Sequence, residues 1–313
     1  MIVNTGQRTD IPAYYSTWFY NRIRAGEVLV RNPYYPTQVA RYRLTPEIVD
    51  CLSFCTKNPA PMLPRLQELD AYPQLWYVTI TPYGKDIEPH VPDWREVVHS
   101  FQELSKHVGT HSIIWRYDPV LLLGGYHVEF HKNTFLAMCR ELSGYTDTCV
   151  ISFIQLYEKT KKNFHEVSTV PAEIRRELAA YFVKVGQEYG IRIKGCCVDL
   201  ELAGLGVDVT GCATREVYER ALGEALTVPA NEAHARDECQ CLLGYDIGAY
   251  NTCLHGCRYC YANYDMELVK NNYRLHDPES LLLIGHLTPA DQIYDARQIK
   301  YSHGQMVMTE LLK

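Results

Sequence analysis

At 313 residues the chain is long enough to bury one large core, as a single big domain or a domain with an appendage. Its 47% hydrophobic and 22% charged residues exclude a disordered chain, and a net charge of -6 removes any general electrostatic reason to bind nucleic acid. The opening MIVNTGQRTDIPAYY lacks a basic region followed by an apolar run, and stretches such as VISFI and SLLLIG are too short to span a bilayer. The expected location is cytoplasmic, away from membranes.

In chain order, β-branched and aromatic runs at 1–4, 51–55, 75–80, 111–117, 149–154 and 191–196 predict six strands. Between the first two, EVLVRNPYYPTQVARYRL predicts an extra hairpin turned by NPYYP. WREVVHSFQELSKHVG, VEFHKNTFLAMCRELSG and PAEIRRELAAYFVKVGQEYG carry apolar residues at helical spacing and stop at glycine, with Pro171 suited to a first turn. Strand and helix in alternation predict an α/β fold with a parallel sheet, as an open or closed barrel. There is no repeat of fixed sequence, and no linker long enough to mark a second independent domain.

In barrels of this kind chemistry sits past the C-terminal ends of the strands. The segments there are polar: RTD at 8–10, TKN at 56–58, TPYG at 81–84, RYD at 116–118, QLYEK at 155–159, and the pair Cys196 and Cys197. Arg8, Asp10, Arg116 and Asp118 are the candidate catalytic side chains, with Lys57 and Asn58 as candidate binding groups of the same pocket. Taken singly, the charged residues could instead be ion pairs that close the rim.

Twelve cysteines in a chain without an export signal point to metal more than to disulfides. Cys253, Cys257 and Cys260 follow the spacing CxxxCxxC, which can wrap one corner of a cuboidal iron-sulfur cluster and leave one iron open. Structural zinc normally takes four protein ligands, so it would need His255 or a remote cysteine as well. His255 is expected as a hydrogen-bonding neighbour of the site. Cys51, Cys55, Cys139 and Cys149 lie in or beside apolar segments and read as core.

The stretch CLHGCRYCYA resembles the cluster-binding loop of radical S-adenosylmethionine enzymes, down to the aromatic Tyr259 before the last cysteine. In most such enzymes the loop follows the first strand, whereas here it follows all six. That departure, together with RTDIPAYYSTWFYNRIRAGEVLVRNPYYP, TKNPAPML, WRYDPV, CVISFIQLY and DIGAYNTCLHGCRYCYANY, resembles a family catalogued as a domain of unknown function, DUF1848. The resemblance implies an α/β fold: a partial (β/α)6 TIM-like barrel of parallel strands over 1–195. A cysteine-rich segment over 196–313 would carry the cluster loop and pack on the barrel mouth.

The same resemblance implies a [4Fe-4S] cluster held by Cys253, Cys257 and Cys260. S-adenosylmethionine would chelate its open iron and be cleaved reductively to a 5′-deoxyadenosyl radical that acts on an unknown polar substrate. Tyr259, Tyr261 and Ala262 would lie against the adenine, while Lys57, Asn58 and the charged rim would grip the methionine moiety or the substrate. Gly248 and Gly256 would allow tight turns around the cluster, and a low-potential donor such as a flavodoxin or ferredoxin would supply electrons. Cys197, Cys212, Cys239 and Cys241 resemble further cysteines of that family, and would hold a second iron-sulfur cluster or a zinc. Aminocarboxypropyl transfer from S-adenosylmethionine is the alternative within catalysis, and a non-catalytic iron-sulfur or zinc protein the alternative outside it.

Overall fold

The computed structural model describes residues 1–229, 241–242 and 244–306. Cys239, one member of the expected tetrad, lies outside the described residues. All six expected strands form: β1 (Ile2–Asn4), β4 (Cys51–Thr56), β5 (Gln74–Thr79), β6 (Ile113–Val120), β7 (Thr148–Phe153) and β8 (Arg192–Gly195). The expected hairpin is β2 (Glu27–Arg31) paired antiparallel with β3 (Gln38–Arg43). Further strands are β9 (Glu224–Leu226), β10 (Tyr245–Asp246), β11 (Gln292–Asp295) and β12 (Ser302–Met306). The helices are α1 (Ile11–Tyr14), α2 (Ser16–Ala25), α3 (Trp94–Val108), α4 (Val128–Leu142), α5 (Glu158–Asn163), α6 (Ala172–Glu188), α7 (Arg215–Leu222) and α8 (Met266–Arg274).

Seven parallel strands make the main sheet, in the order β10-β1-β4-β5-β6-β7-β8. Each strand lies beside its predecessor in this series because helices or 3-10 turns carry the chain back between them, as parallel pairing requires. β10 was not foreseen: two residues from the C-terminal third extend the sheet beyond β1, with Val3 opposite Tyr245 and Asn4 opposite Asp246. A parallel sheet covered on both faces needs strands apolar throughout, and QLWYVT and TCVISF are buried at every position.

The two faces separate at alternate residues, as the pleat dictates. One carries Val3, Leu52, Phe54, Trp76, Val78, Ile113 and Trp115 into the larger core under the helices. There Phe135 of α4 stacks between Trp115 and Phe182 of α6, with ring centroids 4.9 and 4.1 Å away. The other face carries Ile2, Cys51, Leu75, Tyr77, Ile114 and Val150 against Tyr218 of α7, Leu226, Leu242 and Tyr301. No described helix is long and apolar enough to cross a membrane.

Candidate functional site

Following the second face toward the C-terminal ends of the strands, the side chains turn polar while keeping the same two-residue step. Ile2 gives way to Asn4, Cys51 to Ser53 and Cys55, Leu75 to Tyr77 and Thr79, Ile114 to Arg116 and Asp118, and Val150 to Ser152. The apolar halves plug one end of this face, and the polar halves wall a cavity of about 980 Å³. Arg8, Asp10, Lys57, Gln155 and Tyr157 complete the rim from the loops after the strands. Cys253, Cys257 and Cys260 all open onto this cavity, as do Tyr259, Tyr261 and Ala262. Cys197, Cys212 and Cys241 line it too, and so does Cys196, which the expected tetrad omitted. Asn58 does not: its side-chain oxygen accepts from the Ala60 amide and starts the 3-10 segment Ala60–Leu69.

The loop arrives there because β10 runs parallel to β1, so its C-terminal end points to the rim that β1 also serves. Polar contacts then pin it. The Tyr15 hydroxyl donates to the Thr252 carbonyl at 2.6 Å, the His90 amide to the His255 carbonyl at 3.1 Å, the Arg258 amide to Ile87 at 3.1 Å, and Asn263 Nδ2 to the Cys253 carbonyl at 2.6 Å. Gly256 turns with φ +70°, in the region that glycine reaches without strain. The Ala262 amide donates to Cys260 Sγ at 3.3 Å, the kind of bond that favours a thiolate. Burial pushes the free thiols of Cys253 and Cys257 well above the ordinary range.

The charged candidates form compact pairs around this loop. Asp10 is fully engaged: Oδ1 accepts from the Ala13 amide at 3.0 Å, and Oδ2 from the Lys57 amide and His255 Nε2, both at 2.8 Å. His255 Nδ1 meets the Tyr14 hydroxyl at 2.9 Å, so its two ring nitrogens are occupied by Asp10 and Tyr14. Lys57 Nζ lies 2.8 Å from Glu88 and 2.9 Å from Thr81, and Tyr259 donates its hydroxyl to the same Glu88. Burial lowers the Lys57 pKa, but the negative neighbours, Glu88 first among them, together outweigh it and the net shift is upward, so the ammonium persists. Arg8 pairs with Asp246 of β10, and Arg116 with Asp118, which also accepts from Ser152. Burial pushes the Asp118 pKa up, and the Arg116 charge and Ser152 bond overcome it and hold the carboxyl below its usual range. At Asp246 the balance reverses, since burial exceeds the help from Arg8 and the pKa rises.

Both readings of the rim therefore hold at once: the charges are ion pairs, and they wall a pocket. Thr9 Oγ1 in this wall is buried without a hydrogen-bond partner among the described residues. Of the core cysteines, Cys51, Cys139 and Cys149 are buried as expected, whereas Cys55 faces the cavity from β4. Tyr245 lines the cavity while packing against the larger core, Tyr250 lines it too, and Tyr264 is 46% exposed. Among the described residues no three His, Cys, Asp or Glu side chains are gathered around the position of a single metal ion.

The family model described as "Domain of unknown function (DUF1848)" matches residues 2–262. No curated protein matches the chain, and neither does any solved structure.

Proposed function

We propose that the chain, which belongs to the DUF1848 family, is a radical S-adenosylmethionine enzyme acting on a polar substrate of unknown identity. The observation that carries this reading is the opening of Cys253, Cys257 and Cys260 onto one large cavity whose other walls are the polar ends of the parallel strands. An electron carrier has no use for such a cavity. Three thiols that bind three different irons need not surround one ion, so the donor set suits a cuboidal cluster better than a single-metal cage. When bound, that cluster and S-adenosylmethionine supply a one-electron cleavage to methionine and a 5′-deoxyadenosyl radical able to take a hydrogen atom from the substrate.

The chain's own residues hold and aim. Asp10 and Tyr14 fix His255 between the first two thiols, Glu88 fixes Tyr259 before the third, and Tyr261 donates to the Gln7 carbonyl at 2.6 Å. Lys57 and Arg116 present cations already neutralised by Glu88 and Asp118, so they orient polar groups without adding bare charge. We read the sheet as an open part-barrel with residues 196–313 across its mouth. In that reading β10 stands beside β1 as an additional edge strand, and the loop after it takes the place that the loop after the first strand has in other radical enzymes.

Anaerobically reconstituted protein should hold a four-iron cluster whose electron paramagnetic resonance signal, once reduced, changes on addition of S-adenosylmethionine. Slow formation of 5′-deoxyadenosine should follow under a strong reductant. Methylthioadenosine in its place would show aminocarboxypropyl transfer, and neither product with an unchanged signal would leave a non-catalytic metal protein.

A further inference from the structure

We propose that Cys196, Cys197, Cys212 and Cys241 form a second metal site, a tetrahedral tetrathiolate for one zinc ion. Cys212 Sγ lies 3.5 Å from Cys196 Sγ and 3.5 Å from Cys241 Sγ. Cys197 is hydrogen-bonded to Cys196 and lines the same wall. Four sulfurs about 2.3 Å from one zinc stand about 3.8 Å apart along each tetrahedral edge. Two such edges, both at Cys212, are thus nearly in place; among the described residues no three of the thiols converge on one point without the ion, which would draw Cys196, Cys197 and Cys241 in around Cys212. A four-iron cluster puts its thiolates on different irons and spreads them much farther, so the spacing argues against it; a two-iron cluster also shares two thiolates per iron, and sulfide analysis separates that case from zinc.

Backbone and surroundings agree with this choice. Neighbours in an extended strand point to opposite faces, yet Cys196 and Cys197 both reach the cavity. The left-handed backbone at Cys197, with φ +50°, makes this possible at a strain that a non-glycine residue rarely accepts. Zinc with four thiolates carries two negative charges, and donors to the sulfurs are present: the Ala213 amide to Cys241 Sγ at 3.3 Å, and Arg116 Nη1 to Cys212 Sγ at 3.9 Å. The apolar side chains of Ile2, Tyr218, Leu226 and Leu242 pack in the same cluster as Cys212 and Cys241 and cover the site on the side away from the cavity. A closed site of this kind is structural: it would join the end of β8, the segment before α7 and the approach to β10. It does not depend on the radical reading.

The test uses the full chain with Cys253, Cys257 and Cys260 all replaced by alanine, so that any metal left belongs to the second site. About one zinc per chain without sulfide is expected, with X-ray absorption showing four sulfurs near 2.3 Å. On that background Cys196→Ser should weaken zinc binding by more than about tenfold, while Cys239→Ser should leave it unchanged. Iron with sulfide, a zinc shell containing nitrogen or oxygen, or loss of zinc on Cys239→Ser with retention on Cys196→Ser would overturn the assignment. The absorption measurement decides even where a serine variant does not fold.

Discussion

Single side chains decide how the charges of this molecule are used, and His131 shows it away from the cavity. It is fully buried, with Nε2 2.7 Å from the Leu121 carbonyl and Nδ1 2.8 Å from the Tyr117 hydroxyl. A carbonyl only accepts, so Nε2 carries the proton of the neutral ring and Nδ1 accepts from tyrosine. Burial lowers its pKa from 6.5 to about 4 despite the Leu121 bond. A depressed histidine pKa means that the unfolded chain binds the extra proton first, so stability is full above pH 6.5 and declines as pH falls toward 4. The shift corresponds to about 3 kcal/mol. His131→Gln should flatten the fall in urea-unfolding free energy between those pH values by roughly that amount; parallel profiles for the two proteins would refute the assignment. Asp10 teaches a related lesson, since the sequence shows a rim carboxylate but not that three donors already saturate it. Cys196 likewise reads as half of a doublet, and only the fold brings its sulfur to Cys212.

Elements were legible where a long pattern specified them. The strands of a doubly covered parallel sheet must be apolar at nearly every position, and helices α3, α4 and α6 need a periodic apolar stripe, so both leave long signatures. β10 leaves none, because Tyr245 and Asp246 become a strand only through pairing with β1. What permits that pairing is Gly244, at φ +65° directly before the strand. A Cβ there would stand 2.5 Å from the Ile2 carbonyl oxygen and 2.8 Å from Ile2 Cγ2. Gly244→Ala should therefore cost about 1 kcal/mol for the left-handed backbone and roughly 1–3 kcal/mol for the overlap with β1. Urea unfolding should show this loss, and faster amide exchange at Ile247, which bonds to the Asn4 carbonyl at 3.0 Å, should accompany it. Unaltered stability and exchange would mean that β10 is not held by its register on β1.

At the scale of the whole molecule, the family resemblance implied a boundary at residue 195, and the packing of the sheet runs across it. Beyond that point the chain supplies β10, Ile247 and Leu283 to the larger core, and nearly the whole cover of the second face. It also accepts the buried Trp18 indole N–H at the Ser280 carbonyl, 2.8 Å away, and offers the Tyr301 and Ser302 amides to Asp50, which binds the N-terminal ammonium. Cutting after residue 195 would uncover Ile2, Leu75, Tyr77, Ile114 and Val150 together. At ~2 kcal/mol each, that loss is on the order of 10 kcal/mol, as large as the entire stability of an ordinary domain. Residues 1–195 expressed alone should therefore bind a hydrophobic dye and melt without a cooperative transition, whereas the full chain melts as one unit. A fragment that unfolds cooperatively, with dispersed amide resonances, would establish the first 195 residues as an independent domain. The thiol loop would then be an attachment to a finished barrel; the shared sheet and shared cores predict instead that it folds together with the first 195 residues.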